Sequence, residues 1–556
     1  MGLVRGAGGI KGPIFRVEKR YCLRQISQEL FMKIDLTKQN SRTLNSVLNF
    51  TSSIGGQLLN IFVQFAVRTV FIHTLGKSYL GIGGLFSNIL SMLSLVEFGV
   101  GSAILFKLYE PLSTHDEKRI NILMYFYKKV YFYIGLVISC IGICLIPFLR
   151  FLIKDYDRMA GLNINVTVIF LMYLFKTVSS YLFLAYKSSI IKADQKEYLV
   201  NLVTYLVTIL AAVVQIVLLL IYPKFEIYVT ISILQVVFLN LTCAFLADKM
   251  YPFIKENSRE KLARSEVIDI TKDCSALFLY KLNGVVLKAT DNIILSAVRG
   301  LDMVALYSNY YVFYTSINTL FSKVFNSVSH SLGNLHTTHN VKHEYEIYEV
   351  VNLIAAILGG TAGVGIFVVS NPVVHAWIGD DWLIEQPFSM LMGIEVLGLA
   401  LRQPMNKYRA TMGLFQQAKY RPVAGMIINL VVSYALVSRW GICGVLVGTI
   451  VADWTTVMWY DPIIIHKYGF NNEYSPTRYF LKIARYMAII FAVGAVDYLL
   501  CNKIIGGQGW FYVILYAAIV MVTVPAAMIG ITSMSAETRF VINKIRSFVV
   551  KKLRRS

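Results

Sequence analysis

Charged residues are scarce in this chain: Asp, Glu, Lys and Arg make up 15% of its 556 residues, against 56% hydrophobic ones. A soluble protein of this length divides into several domains and carries a richer charged surface, so that class is excluded. Cysteine is limited to seven, an odd number, mostly inside apolar segments (Cys140, Cys144, Cys243, Cys274, Cys443). No CxxC or metal-ligand spacing accompanies them, which excludes a disulfide frame and a cysteine metal site. Long polar connections are also missing, leaving no room for an extramembrane domain. The first 31 residues lack an apolar core long enough for a cleaved signal peptide. They show no helical periodicity, and Met32-Lys33 offers an alternative start, so 1–31 reads as a dispensable extension.

What is present is a succession of apolar runs. Fourteen cross the length needed to span a bilayer: 44–75, 81–106, 129–151, 164–190, 199–221, 226–248, 273–298, 303–333, 347–370, 387–411, 422–438, 441–465, 479–501 and 510–532. Lipid offers the backbone no hydrogen-bond partner, so these runs are helices and the fold class is an all-α polytopic membrane protein. Basic residues outnumber acidic ones 53 to 32, and their placement sets the topology. Nine lie in 1–43 and seven follow Thr532, with further clusters from Lys249 to Arg264, Lys407 to Arg421 and Lys467 to Arg485. The loop 371–386 holds no basic residue but Asp380, Asp381 and Glu385. By the positive-inside rule both termini are cytoplasmic. Charge dispersed over many short loops fits membrane topology, and no nucleic-acid partner is expected.

The first span carries an unusual polar stripe: Asn49, Ser53, Gln57, Asn60, Gln64 and Arg68 recur every three or four residues along one face. An arginine at the centre of a membrane helix costs about 2.5–3.5 kcal/mol on insertion scales, so the stripe must face protein or a water-filled cavity. Other mid-span charges are Lys176, Lys281, Lys288, Lys323 and Arg402 against Glu97, Asp291, Glu395 and Asp453. The spacing allows Lys288 and Asp291 to pair, while Lys281 is also able to snorkel inward, as Lys187, Lys407 and Arg409 are. Surplus cations suit an anionic cargo, and the acids are candidates for carrying a coupling H+ or Na+. His336, His339, His343 and Glu344 have metal-ligand spacing but fall in a solvated loop, and Asp155-Tyr156-Asp157 stands alone; neither is taken as a site, and no metal is expected.

A faint duplication runs through the chain. Thr74-Leu75-Gly76 followed by Gly84-Leu85-Phe86-Ser87-Asn88 matches Val298-Arg299-Gly300 followed by Ala305-Leu306-Tyr307-Ser308-Asn309, and Tyr186-Lys187 matches Tyr408-Arg409. The offset predicts two parallel copies of six helices with helices thirteen and fourteen added. The expected division is 1–43 as a cytoplasmic segment, 44–250 and 273–467 as six-helix bundles joined by linker 251–272, 478–533 as the added pair, and 534–556 as a basic tail. Under the repeat, Arg68 lies opposite Asn292, beside Asp291.

The stretch from Arg68 to Gly76, then Gly84 to Leu95, then Glu97-Phe98-Gly99-Val100-Gly101-Ser102-Ala103-Ile104 resembles the Wzx-type polysaccharide flippases of bacteria, within the exporter superfamily that includes the MATE transporters. Thr290-Asp291-Asn292-Ile293-Ile294, Gly444 to Ile450, and Trp459-Tyr460-Asp461-Pro462 extend the resemblance over most of 40–480, with Asp461 where Glu is expected. The resemblance implies a V-shaped pair of bundles in the bacterial cytoplasmic membrane. It also implies a cargo of polyprenyl-pyrophosphate-linked oligosaccharide, flipped by alternating access, with polysaccharide polymerase and chain-length machinery as partners. It assigns headgroup contacts to Arg68, Lys288 and Arg402 in the cavity, with Lys281, Lys176, Asn60, Gln64 and Asn318 in support. Glu97 and Asp291, with Glu395 and Asp453, then handle the coupling ion or orient the cations. No covalent chemistry is implied, and the reading is a transporter with no catalytic residue and no cofactor. The competing readings are a MATE-like exporter of organic cations, which needs an acid-dominated cavity, and a lipid II flippase of the same architecture. An integral-membrane polymerase or ligase needs a large external loop or a convergent acid/base set, and neither is visible.

Overall fold

The computed structural model describes residues 42–553, apart from 98–99, 155, 158–163, 256–259, 261, 338–339 and 415. The side chains of 42–47, 50, 54, 58, 96, 102–103, 269, 272–288, 327–331, 333–337, 545 and 548–553 also lie outside the description. The fold is helical throughout the described residues. In chain order the principal helices are α1 (Arg42–Leu75), α2 (Lys77–Leu93), α3 (Val100–Thr114), α4 (Glu117–Leu145), α5 (Val166–Leu182), α6 (Ser188–Ala193), α7 (Glu197–Ile221) and α8 (Phe225–Met250). There follow α9 (Arg264–Arg299), α10 (Leu301–Thr337), α11 (Val341–Ile378), α12 (Gln386–Thr411), α13 (Arg421–Trp440), α14 (Ile442–Ile464), α15 (Pro476–Tyr498), α16 (Trp510–Ile531) and α17 (Ala536–Leu553).

All fourteen predicted spans fall on helices. The second is broken between α2 and α3 by the tighter turn Ser94–Glu97, and the fourth bends by 45° between α5 and α6, where Leu184 takes a left-handed conformation. Among the described residues nine helices, or ten counting that bent pair, are long and apolar enough to cross a membrane. The remaining four spans are α2 with α3, α9, α10 and α12; α2 and α3 are each too short to cross alone. Large apolar side chains such as Phe62, Phe151, Phe245 and Phe511 point outward. Such a belt belongs in lipid, where backbone pairing within helices is obligatory. The protein is a multi-pass membrane protein.

Local chemistry explains the helix ends. Asp116 accepts from the Arg119 amide at 2.9 Å and Asn165 from the Val168 amide at 3.1 Å, each satisfying an otherwise orphan donor at a helix start. Pro422 and Pro476 occupy first-turn positions, where the missing N–H is no loss. Gly76 (φ 83°, ψ −170°) and Gly300 (φ 93°, ψ 173°) connect α1 to α2 and α9 to α10 in nearly the same backbone conformation, one open only to glycine. The duplication read from sequence thus coincides with a shared sharp turn. Its second match does too: Lys187 pairs with Asp248 at 2.6 Å, and Arg409 pairs with Asp461 at 3.3 Å, each cation reaching an acid near the end of a helix two spans later.

Three apolar cores hold the helices. One lies among α1–α8 and includes Phe86, Tyr127, Phe170 and Phe225. Another lies among α11, α12, α15 and α16 and includes Tyr348, Tyr408, Phe470 and Tyr516. The third gathers α9–α14 and receives Ile72 from α1, with Phe65 and Leu80 packed against it. The two halves of the chain meet there. Gly81 of α2 lies against the Leu301 carbonyl of α10, so close that a built Cβ would stand 2.2 Å from that oxygen.

Candidate functional site

Two cavities of similar size lie side by side, separated by α9 and α10. The first, about 420 Å³, is lined by α1, α2, α5, α7 and α8 with Asn292 of α9 and Ser308, Tyr311 and Thr315 of α10. Its charged lining residues are Arg68 and Lys176, with no carboxylate among them. Gln64, Asn88, Gln215, Gln235 and Asn292 supply amides, and Tyr79, Tyr173 and Tyr228 supply ring faces. Arg68 reaches across the junction between the halves: its Nε donates to Asn309 Oδ1 at 2.8 Å and its Nη2 to Ser308 Oγ at 2.7 Å. Trp377 donates to Thr69 at 2.6 Å and stacks on Phe65 with ring centroids 4.0 Å apart, closing the end of the junction remote from the termini. Lys77 donates to the Asp381 carbonyl there at 2.5 Å.

The second cavity, about 440 Å³, lies among α9, α10, α12, α13 and α14 and is lined by Asp291, Asn318, Glu395, Arg402, Asn406 and Asp453. Its carboxylates differ in state. Glu395 accepts from Arg402 Nη2 at 2.8 Å, and the same guanidinium pairs with Asp453. Arg402 is therefore neutralised twice over. Asp291 has no charged partner among the described residues. Its Oδ2 accepts from Tyr307 and from Thr449, both at 3.2 Å, and its buried Oδ1 has no partner. Asn429 extends this set, donating to Thr449 at 3.0 Å and accepting from Thr290 at 3.3 Å. Such a ring of oxygens around one carboxylate is chemically suited to a proton or a small monovalent cation.

The predicted residues divide accordingly. Arg68, Lys176 and Gln64 line the first cavity, while Asn318, Arg402, Asp291, Glu395 and Asp453 line the second. Asn60 accepts from Gln64 at 3.2 Å and supports it from one turn below. Glu97 borders neither cavity: it is held by the hydroxyls of Tyr131, at 2.5 Å, and Tyr181, at 2.9 Å. Lys281 and Lys288 lie outside the described side chains, and so does any pairing of Lys288 with Asp291. The polar stripe on α1 has two jobs. Asn49 bonds Gln195 and Tyr198 at the start of α7, fastening the helices together, and only Gln64 and Arg68 reach the cavity. Sequence reading missed Tyr307, Tyr311, Tyr314, Asn309, Asn429 and Thr449. The matched Tyr307-Ser308-Asn309 string contained two of them but served there only to set the repeat register. Among the described residues no three His, Cys, Asp or Glu converge on a metal position, and His336 and His339 lie outside the described side chains.

The chain matches no protein-family model, and no curated protein matches it in sequence. Its fold does have solved counterparts. The lipid II flippase MurJ in an inward closed conformation is similar with a TM-score of 0.60 at 14% identity, over 88% of this chain and 99% of that one. A multidrug resistance MATE family transporter of the MOP superfamily, inward-facing, is similar at 0.52 and 12% identity, over 77% and 100%. A MATE in the bent conformation gives 0.50 and 13% identity, over 78% and 98%. The chain has a MATE-like fold.

Proposed function

We propose that this protein flips a lipid-linked oligosaccharide, carried on a polyprenyl pyrophosphate, from the inner to the outer leaflet of a bacterial cytoplasmic membrane for surface polysaccharide synthesis. The observation that carries the reading is the first cavity, where Arg68 and Lys176 stand with no carboxylate among the described lining residues. Pyrophosphate is bound by such cations through charge-assisted hydrogen bonds. Amides and tyrosine faces beside them suit a sugar, while the polyprenyl tail stays in lipid. In this reading the bundles 44–250 and 273–467 rock against each other, both termini face the cytoplasm, and Asp291 carries the coupling H+ or Na+. Polymerase and chain-length machinery would then receive the flipped unit.

The rival is an exporter of organic cations working from the second cavity. Its acids favour a cation, but Glu395 and Asp453 already share Arg402. The test is transbilayer movement of a fluorescent polyprenyl-pyrophosphate oligosaccharide in proteoliposomes. Protein-dependent movement that Arg68→Ala and Lys176→Ala abolish, with thermal unfolding unchanged, supports the flippase. Export of an organic cation against a proton or sodium gradient, with no lipid movement, replaces it with the exporter reading. A lipid II flippase is distinguished by offering that lipid in the same assay.

A further inference from the structure

We propose that Tyr307 and Ser308, neighbours on α10, form a mechanical relay that ties the occupancy of Asp291 to the grip of Arg68 on cargo. The inference rests on the flippase reading and adds how its two cavities are linked. Successive residues of a helix project about 100° apart, and α10 uses that geometry to face both cavities. Tyr307 donates to Asp291 Oδ2 in the second cavity, and Ser308 accepts from Arg68 in the first. Helix α9 does the same with Asp291 and Asn292, which line the second and first cavities respectively.

The two ends of the relay differ in tightness. Arg68 is held at 2.7 Å and 2.8 Å by Ser308 and Asn309. Asp291 is held at 3.2 Å by both Tyr307 and Thr449, and its other oxygen is buried without a hydrogen-bond partner among the described residues. A cation or proton arriving at that oxygen withdraws electron density from the one Tyr307 uses. The Tyr307 bond then weakens or re-forms in a new geometry. Tyr307 does not move alone. Its ring stacks on Tyr311 (centroids 5.5 Å, planes 24° apart), and Tyr311 stacks on Tyr314 (5.2 Å, 20°). Tyr314 in turn donates to Glu395 at 3.3 Å. The stack makes this face of α10 one rigid plate, and Tyr311 borders both cavities with a buried hydroxyl that has no partner. A shift of the plate carries Ser308 and Asn309 with it and changes the geometry offered to Arg68. Among the described residues, the ionisable groups sharing the cavity with Asp291 are Tyr307, Tyr311 and Tyr314 of α10, Glu395, Arg402 and Arg409 of α12, Arg421 of α13 and Asp453 of α14.

Coupling between two sites is reciprocal and of measurable size. The experiment measures binding of geranyl pyrophosphate to the full-length purified protein, with sodium or choline as the cation and in acidic and alkaline buffer. Wild type should show an affinity that changes about 5-fold or more with one of these variables. Asp291→Asn should remove that dependence. Tyr307→Phe should leave binding in the favourable condition near wild type and bring the ratio to about one, which a merely stabilising tyrosine would not do. Ser308→Ala cuts the relay at its cargo end and should weaken both binding and ratio, serving if Tyr307→Phe misfolds. A Tyr307→Phe protein that keeps the wild-type ratio overturns the relay, and so does wild type that binds without any cation or pH dependence. Wild type that does not bind the probe, or binds it equally well after Arg68→Ala, overturns the flippase reading and the relay together.

Discussion

Replacing Gly81 by alanine should open the junction between the halves at the end remote from the termini. The glycine faces backbone, with the Leu301 carbonyl oxygen 2.2 Å and its carbon 2.9 Å from where a Cβ would stand. A flexible side chain could swing away from a new methyl group, but a helix start following Gly300 cannot. To reach ordinary carbon contact, α2 and α10 must part by about 1 Å or more. Overpacking of this kind costs about 1–3 kcal/mol. If alternating access separates these helices in the other state, the cost falls on the closed state alone and shifts the equilibrium toward opening by roughly 5- to 150-fold. Ser78, one turn away, lies 3.4 Å from Asp302 across the same junction and reports on it. In a background without the native cysteines, Ser78→Cys should react with a membrane-impermeant maleimide faster in Gly81→Ala than in its parent, by a factor in that range. An unchanged labelling rate would refute the reasoning. If the melting temperature falls as well, the strain has been spread over the whole fold rather than placed on one conformational state.

Other outcomes follow from the same structure. Asp461→Asn should destabilise the protein by about 3–5 kcal/mol, because it strands the buried guanidinium groups of Arg409 and Arg421 that converge on this carboxylate; thermal unfolding in detergent measures it. Glu97→Gln should leave cargo affinity unchanged while lowering the melting temperature, since its partners Tyr131 and Tyr181 lie outside both cavities. At the start of α17, burial pushes the Glu537 carboxyl up, but its own backbone amide, Lys482 and Tyr486 outweigh that and hold it below the ordinary value. A depressed carboxyl stabilises the fold above its unfolded pKa and loses that contribution as pH falls through the folded one. Protection factors in 536–547, with exchange corrected for its intrinsic pH dependence, should therefore fall in acid, and Glu537→Gln should be poorly protected at neutral pH; equal protection at both pH values would refute this contribution of Glu537.

Much of the architecture was readable one residue type at a time. The spans follow from apolar length, and the duplication from Gly76 and Gly300, whose shared conformation needs glycine. The placement of Arg68 in an interior followed from the cost of an arginine in lipid. Partners were harder to read. Ser308 and Asn309 lie some 240 positions from Arg68, and no periodicity encodes a contact at that distance. Arg402 looked like a cargo cation because Glu395 and Asp453 were counted separately, whereas α12 and α14 bring both onto one guanidinium. Tyr307, Tyr311 and Tyr314 were invisible because tyrosine is apolar enough to pass for core or lipid-facing surface. Only their hydroxyl partners reveal what they do.

By itself the sequence determined that the chain is a helical membrane protein, roughly where its spans lie, and that polar groups must be hidden inside it. Those properties depend on the transfer energy of each residue and the handedness of each backbone position, which are local. The tertiary structure alone decided that, among the described residues, Arg68 and Arg402 line two different cavities. It put Arg68 and Lys176 on one of them, and on the other it paired Arg402 with Glu395 and Asp453, and Arg409 and Arg421 with Asp461. Charges act through distance, and distance between helices is set by packing.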